Sequence, residues 1–306
     1  MSTMRGATRI SRQRRRCLQG LLALPAVSLL DAVDASGPDL RQRRVGTVSL
    51  PVIGLGTWRQ LDLPADAPGL PAAVAALHRF LQLGGRVIDT SPMYGLAETR
   101  LGEALATTTD RAFIATKLWT DGLAEGRAQL RQSSQRIGRP VDLLQIHNLR
   151  DLDRQLRVAR EAREAGQVQL VGVTHYNASA HSVLATVLQR ERPDVLQVNC
   201  SLLEPQARER LLPMAADLGI AVLINRPFAE GQLFRRAANR PLPEVALALQ
   251  CSSWAQLGLK WILAQPAVSC VLAGTSRVRH VEDNLGAARG PLPDLAQQRE
   301  IESALA

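Results

Sequence analysis

Lysine is almost missing from this chain of 306 residues: of 37 Lys+Arg, only Lys117 and Lys260 are lysine. Tyrosine is as rare, with two copies, and aromatic residues make up 3% of the whole. The core must therefore be rich in Leu, Val and Ala, and a lysine or tyrosine in an apolar setting stands out. Cysteine is scarce too. Cys17, Cys200, Cys251 and Cys270 form no close-spaced ligand pattern, and no H-x-x-x-H accompanies them. No metal site is expected from such spacing. Buried free thiols are the expectation for the last three cysteines, with a disulfide as the alternative in an oxidising compartment.

The net charge of +9 comes partly from one end. Residues 1–35 carry six arginines against two aspartates, which leaves +5 spread over the remainder. No basic stretch is interleaved with aromatics, so nucleic-acid binding is not expected. The basic run RQRRRCLQ (12–19) leads into the apolar GLLALPAVSLL (20–30), and Val33-Asp34-Ala35 offers a small-residue exit. That order reads as an export signal over residues 1–35, and the apolar part is too short to span a bilayer. Arg14-Arg15-Arg16-Cys17-Leu18-Gln19 is similar to a twin-arginine consensus. The expectation is export or a periplasmic location, through twin-arginine machinery, with no stable membrane insertion afterwards. If the segment is not a working signal, a basic extension on a cytoplasmic protein is the alternative.

Within the rest of the chain, four residue types stand at predicted strand ends. Asp89 and Tyr94 lie in GRVIDTSPMYG, Lys117 in AFIATKLW and His147 in DLLQIHN. A lysine that closes an apolar strand is costly unless it is paired. A carboxylate holds such an ammonium charged, and the ammonium in turn lowers the pKa of a nearby phenol. An imidazole can hydrogen-bond and orient a carbonyl. The set fits protonation of a carbonyl oxygen, and because none of the four is a usual hydride donor, a cofactor is implied. Singly, each residue has a structural reading: a turn-forming Asp, a packing Tyr, a snorkelling Lys, a core His.

Short apolar runs alternate with helical spacing from residue 47. Strands are predicted at 53–55, 86–89, 112–116, 143–147, 169–173, 195–197, 221–224 and 269–272. Helices are predicted through LPAAVAALHRFLQ and near 98–106, 123–137, 153–165, 180–188, 206–218, 252–264 and 278–287. Eight strand–helix repeats imply a parallel sheet closed into a single-domain (β/α)8 TIM barrel over residues 36–306. Residues 36–46 read as a lead-in. An open doubly wound sheet is the runner-up, but Gly54-Leu55-Gly56 is followed by Arg59 where a third glycine would be needed. In a barrel, Asp89, Lys117, His147 and Gln197 each close a different strand and converge on the carboxyl-end face.

With these residues in view, the chain resembles the aldo-keto reductase family. The matching motifs are GLGTW (54–58), D-x4-Y (89–94) followed by Glu98, TKLW (116–119), QIHN (145–148), GVTHYN (172–177), QVN (197–199) and AGTSRVRHVEDN (273–284). The resemblance implies a (β/α)8 barrel, an NADPH cofactor bound at the carboxyl face, with NADH as the alternative, and reduction of small-molecule aldehydes or ketones. It assigns Tyr94 as general acid, Lys117 and Asp89 as the groups that tune it, and His147 as the carbonyl-orienting group.

It also assigns Thr174, His175 and Gln197 to the nicotinamide amide. Asn225 stands where family members often place an aromatic under the ring, and Arg226 follows it within reach of a pyrophosphate. Gly274 and Thr275 replace the family's Lys-Ser. Ser276, Arg277 and Arg279 remain for a 2′-phosphate, which guanidinium groups suit, and Asn284 closes the motif. Trp58 and Trp119 match substrate-pocket positions. The short loop after His147 and the little chain beyond Gly290 imply an open pocket. His78, His181, Pro227 and Gly231 read as surface-helix or loop-shaping residues. The departures at Asn225 and Gly274 leave a second class of function in view, a cofactor-binding regulatory or scaffold protein with weak or vestigial activity.

Overall fold

The computed structural model describes residues 40–306. The expected export signal lies outside the described residues. Eight parallel strands close into a barrel: β3 (Ile53–Gly56), β4 (Val87–Asp89), β5 (Phe113–Leu118), β6 (Leu143–His147), β7 (Leu170–His175), β8 (Val195–Asn199), β9 (Ala221–Asn225) and β10 (Val268–Leu272), with β10 pairing back onto β3. Between them run α1 (Leu70–Gln82), α2 (Ala97–Leu105), α3 (Leu123–Ile137), α4 (Leu152–Glu164), α5 (His181–Glu191), α6 (Leu211–Asp217), α7 (Gln232–Arg236), α8 (Val245–Ala248) and α9 (Trp254–Leu263), and α10 (Val278–Gly286) follows β10. The expected TIM barrel is the observed fold.

Side chains alternate across each strand, so every second residue points into the barrel. The lower interior is apolar. Val87, Phe113, Ala115, Leu143, Leu170, Val195, Ala221, Leu223, Cys270 and Leu272 form one buried cluster. Two residues further along five of the strands, on the same face, stand Asp89, Lys117, Gln145, Gln197 and Asn225, and on β7 Thr174 follows Leu170 by four, past Gly172. One period-2 pattern therefore puts grease at the amino end and hydrogen-bonding groups at the carboxyl end.

The lower opening is closed by a hairpin that the lead-in reading missed. β1 (Gln42–Val45) and β2 (Val48–Pro51) pair antiparallel around a two-residue turn, Gly46-Thr47, with Gly46 at φ 60°. Val45 and Leu50 join the interior apolar cluster. The guanidinium of Arg43 fixes the hairpin by donating to the carbonyls of Leu263 (2.7 Å), Gln265 (3.1 Å) and Val268. The strands are too short, and too arginine-rich on their other face, to register as a strand pair by periodicity alone.

Two further differences concern helices. The predicted helix over 206–218 is shorter, because Pro213 lacks an N–H and fits only within a first turn; α6 starts at Leu211, behind a 3-10 turn at Gln206–Arg208. A last helix, α11 (Leu295–Leu305), follows Gly290 and opens with a capping box. Gln297 N donates to Asp294 Oδ1 (2.8 Å) and Asp294 N to Gln297 Oε1 (3.0 Å). α11 packs on α9, where Trp261 Nε1 donates to Glu302 Oε1 (2.8 Å). Cys200, Cys251 and Cys270 are all free, so none of them forms the alternative disulfide. Burial pushes the Cys200 thiol up to about 12 and that of Cys251 up to about 11. Among the described residues, no helix is long and apolar enough to cross a membrane, and no metal-binding cluster of side chains occurs.

Removing the hairpin's plug should be felt by the whole barrel. Leu50→Ala is expected to cost about 2–5 kcal/mol of unfolding free energy, read as a lower urea midpoint. A loss below about 0.5 kcal/mol would show that the hairpin is not part of the interior core.

Candidate active site

The interior ladder positions the site by register. Gly56 pairs with Asp89, Lys117 with Gln145, Gln145 with Gly172, His147 with Thr174, Thr174 with Gln197, and Asn199 with Asn225. Lys117 lies inside β5 rather than just beyond it, and is 1% exposed. Its ammonium donates to Asp89 Oδ2 (2.7 Å) and to the carbonyl of Thr90 (2.6 Å). Burial opposes that charge, but Asp89 and then Tyr94 outweigh it, so the Lys117 pKa is raised. The pairing that the strand-end lysine demanded is present.

Asp89 is held from its other oxygen as well. Oδ1 accepts from Gln197 Nε2 (2.8 Å) and Gln145 Nε2 (3.1 Å), while Gln197 Nε2 also donates to Gln145 Oε1 (3.0 Å). Gln145 was quoted only as part of a motif and is the main site residue that sequence reading missed. The available signal was a polar residue at an inward position of an otherwise apolar strand. Gly172 supports it sterically, since a Cβ there would sit 3.1 Å from Gln145 Cγ. Glu98, by contrast, lies outside the barrel interior. It accepts from Thr116 Oγ1 (2.7 Å) and pairs with Arg136 (3.3 Å), a buried packing role.

Tyr94 sits on the turn that leads from β4 into α2. Lys117 Nζ lies 4.9 Å from its ring centre, and the His147 ring meets it edge-on with centroids 6.0 Å apart. Lys117 does act to lower the phenol pKa as expected, but it does not prevail. Burial pushes the Tyr94 hydroxyl above its ordinary value, and the opposing charge of Lys117 offsets this only in part. His147 is buried, and burial followed by the charge on Lys117 pushes it down to about 3. It is therefore a neutral imidazole at physiological pH. Its Nδ1 pairs with Ser91 Oγ at 3.2 Å, a partner the sequence did not mark.

The remaining candidates divide by location. Thr174 Oγ1 donates to Gln197 Oε1 (3.2 Å), as does Asn225 Nδ2 (3.3 Å). His175 accepts from Asn177 N (3.1 Å) and stacks on Tyr176, with ring centres 5.5 Å apart. Arg226, at φ 52°, is engaged by Glu204 and Glu230, both at 2.8 Å. Gly274 is exposed at the end of β10, Thr275 Oγ1 accepts from Arg277 N (3.2 Å), Ser276 is half-buried, and Arg277 and Arg279 are exposed at the start of α10. Asn284 is buried further along that helix. Trp58 and Trp119 are 43% and 38% exposed after β3 and β5, and each carries a guanidinium over its ring: Arg59 at 4.2 Å and Arg150 at 4.9 Å.

A buried acid–base cluster at the carboxyl mouth of an eightfold α/β barrel defines a class of enzyme site. The Aldo/keto reductase family model matches residues 52–305, and the chain belongs to that family. An uncharacterised oxidoreductase of Schizosaccharomyces pombe is 29% identical over 279 residues, 84% of this chain and 87% of the relative. A methylglyoxal reductase of Escherichia coli is 27% identical over 248 residues, covering 78% and 86%. Among solved structures, an aldo/keto reductase from Klebsiella pneumoniae in complex with NADPH superposes with a TM-score of 0.74 at 23% identity, over 87% of this chain and 95% of that one. A glycerol dehydrogenase from Gluconobacter oxydans gives 0.70 at 21%, over 87% and 94%.

The depressed His147 has a consequence for stability. Unfolded, the imidazole takes a proton near its ordinary 6.5; folded, it does so only near 3. The unfolded state thus binds more protons in that window, and stability falls as pH drops through it. The wild type should lose more unfolding free energy between pH 7 and pH 4 than His147→Gln, by up to ~1.4 kcal/mol per pH unit, in urea titrations at each pH. Equal losses in the two proteins would contradict a neutral buried His147.

Proposed function

We propose that the protein reduces aldehyde or ketone carbonyls to alcohols with NADPH, and that Tyr94 supplies the proton. The observation that carries this reading is the fully buried Lys117–Asp89 pair at 2.7 Å with its ammonium 4.9 Å from the Tyr94 ring. NADPH is named because the family relative from Klebsiella is described with it. The residues here fit such a group on their own terms, since the mouth carries an unpartnered buried acceptor, Asn225 Oδ1, and exposed guanidiniums at the start of α10. When bound, the dihydronicotinamide supplies hydride.

The chain's own residues do the rest. Tyr94, kept protonated by burial, gives its hydroxyl proton to the carbonyl oxygen as negative charge develops there. Lys117 stabilises the phenolate that remains, and Asp89 keeps the ammonium charged and fixed. With Ser91 Oγ donating to Nδ1, neutral His147 keeps its proton on Nε2 and from there donates a hydrogen bond that orients the same carbonyl oxygen. Thr174, His175 and Gln197 frame the nicotinamide end. Thr275, Ser276, Arg277 and Arg279 suit a phosphate at the adenosine end. Arg226, already held by two carboxylates, contributes by anchoring its loop. Trp58 and Trp119, each with a guanidinium over its ring, flank the space for the carbonyl substrate.

Turnover of a reactive aldehyde, followed at the absorbance of reduced cofactor, tests this. Tyr94→Phe should lose at least about 100-fold in kcat, the usual share of a general acid, while fluorescence titration shows NADPH still bound. Wild-type turnover in Tyr94→Phe would overturn the assignment. Cofactor binding with no multiple turnover in the wild type would point instead to a regulatory or scaffold role.

We also propose that residues 1–35 act as an export signal ahead of the barrel. The basic run, short apolar segment and small-residue exit support it. Cell fractionation should then find a chain shortened by about 35 residues outside the cytoplasm; full-length cytoplasmic protein alone would refute it.

A further inference from the structure

Gln197 has no hydrogen-bonding capacity left. Its two amide hydrogens go to Asp89 Oδ1 and Gln145 Oε1, and its carbonyl oxygen takes Thr174 Oγ1 and Asn225 Nδ2. A primary amide offers two donors and two acceptor sites, and all four are filled. The direction of this chain is dictated by its charged end. An ionised Asp89 can only accept, so Gln197 must turn its nitrogen inward and its oxygen outward. Asn225, next in line, must then present its own nitrogen to that oxygen.

The consequence falls on Asn225 Oδ1. It is buried, and it has no hydrogen-bond partner. An acceptor left in that state costs free energy that a suitable donor would recover. Asn225 ends β9, one strand along from Gln197 on β8, so the vacant acceptor belongs to the mouth rather than to the barrel wall. The neighbouring guanidinium of Arg226 is turned to Glu204 and Glu230 and does not fill it.

The geometry points to Asn225 Oδ1 as the acceptor for the carboxamide N–H of the nicotinamide ring. This rests on the cofactor reading above and deepens it. Recognition of the amide passes from the saturated Gln197 to Asn225, and the cofactor's amide becomes the last link of a hydrogen-bonded chain that starts at Asp89.

Analogue titrations separate the possibilities. NADPH, its reduced 3-acetylpyridine analogue, which has a methyl group in place of the amide NH2, and 2′,5′-ADP, which has no nicotinamide, are titrated against tryptophan fluorescence in wild type, Asn225→Leu and the milder Asn225→Ala. The wild type should prefer NADPH to the acetylpyridine analogue by about tenfold, the worth of one hydrogen bond. Both variants should bind the two alike, and 2′,5′-ADP should bind all three proteins equally, which also reports an intact fold. A preference that survives in the variants overturns the inference while leaving the reductase reading intact. A wild type that binds 2′,5′-ADP but shows no preference does the same. Failure of the wild type to bind any of the three ligands sinks the reductase reading, and this inference with it.

Discussion

A single buried ion pair organises the hydrogen bonds of the barrel mouth. Lys117 and Asp89 are both out of solvent, and their 2.7 Å contact is surrounded by low-dielectric interior. Removing either partner would strand the other charge, a far larger penalty than the net worth of the pair. Asp89 therefore takes every donor within reach, two amides and an ammonium, and the orientation of Gln145, Gln197 and Asn225 follows from that demand. Lys260, the other lysine, shows the contrast. It is equally buried but is tied to the carbonyls of Leu249 and Pro291, without a carboxylate, and burial lowers its pKa. The same side chain serves packing in one place and electrostatics in another, according to whether a carboxylate faces it.

Two opposing effects act on Tyr94. Burial keeps the phenol protonated, and the lysine favours its anion. Burial prevails, so the phenol pKa is raised. The lysine's pull is not negligible, because charge–charge attraction strengthens where water is excluded. His147 beside it is held neutral by burial and by the same lysine.

The polar mouth depends on the sealed lower end. Val45 and Leu50 plug the barrel's amino end, so the strands' inward residues form a dry lower layer on which the hydrogen-bonded layer rests. Along β6, Leu143, Gln145 and His147 climb in one step each from apolar packing to the amide network to the imidazole at the mouth. That progression links a period-2 sequence pattern to a graded interior and then to function.

Much of this was legible in the chain itself. Asp89, Lys117 and His147 each ended an apolar run, and Tyr94 lay at a fixed step beyond Asp89, so the barrel and its acid–base cluster could be read from alternation and position. Gln145 and Ser91 were not singled out, because one polar residue within a strand motif or turn carries no sign of which neighbour it will meet. The hairpin and α11 escaped for a related reason: four-residue strands and a polar helix show too little periodicity, and only their partners across the barrel stabilise them. Residue order alone determined the eight repeats, the facing of each strand and the chemical types at the mouth, since these follow from the two-residue period of an extended chain. Folding in three dimensions decided which hydrogen bonds Asp89 collects, that Tyr94 is held protonated and His147 neutral, that Arg226 is already paired, and that Asn225 has an acceptor to spare. Those outcomes turn on distances between residues far apart in sequence and on how much water is excluded around them, and neither exists until the barrel closes.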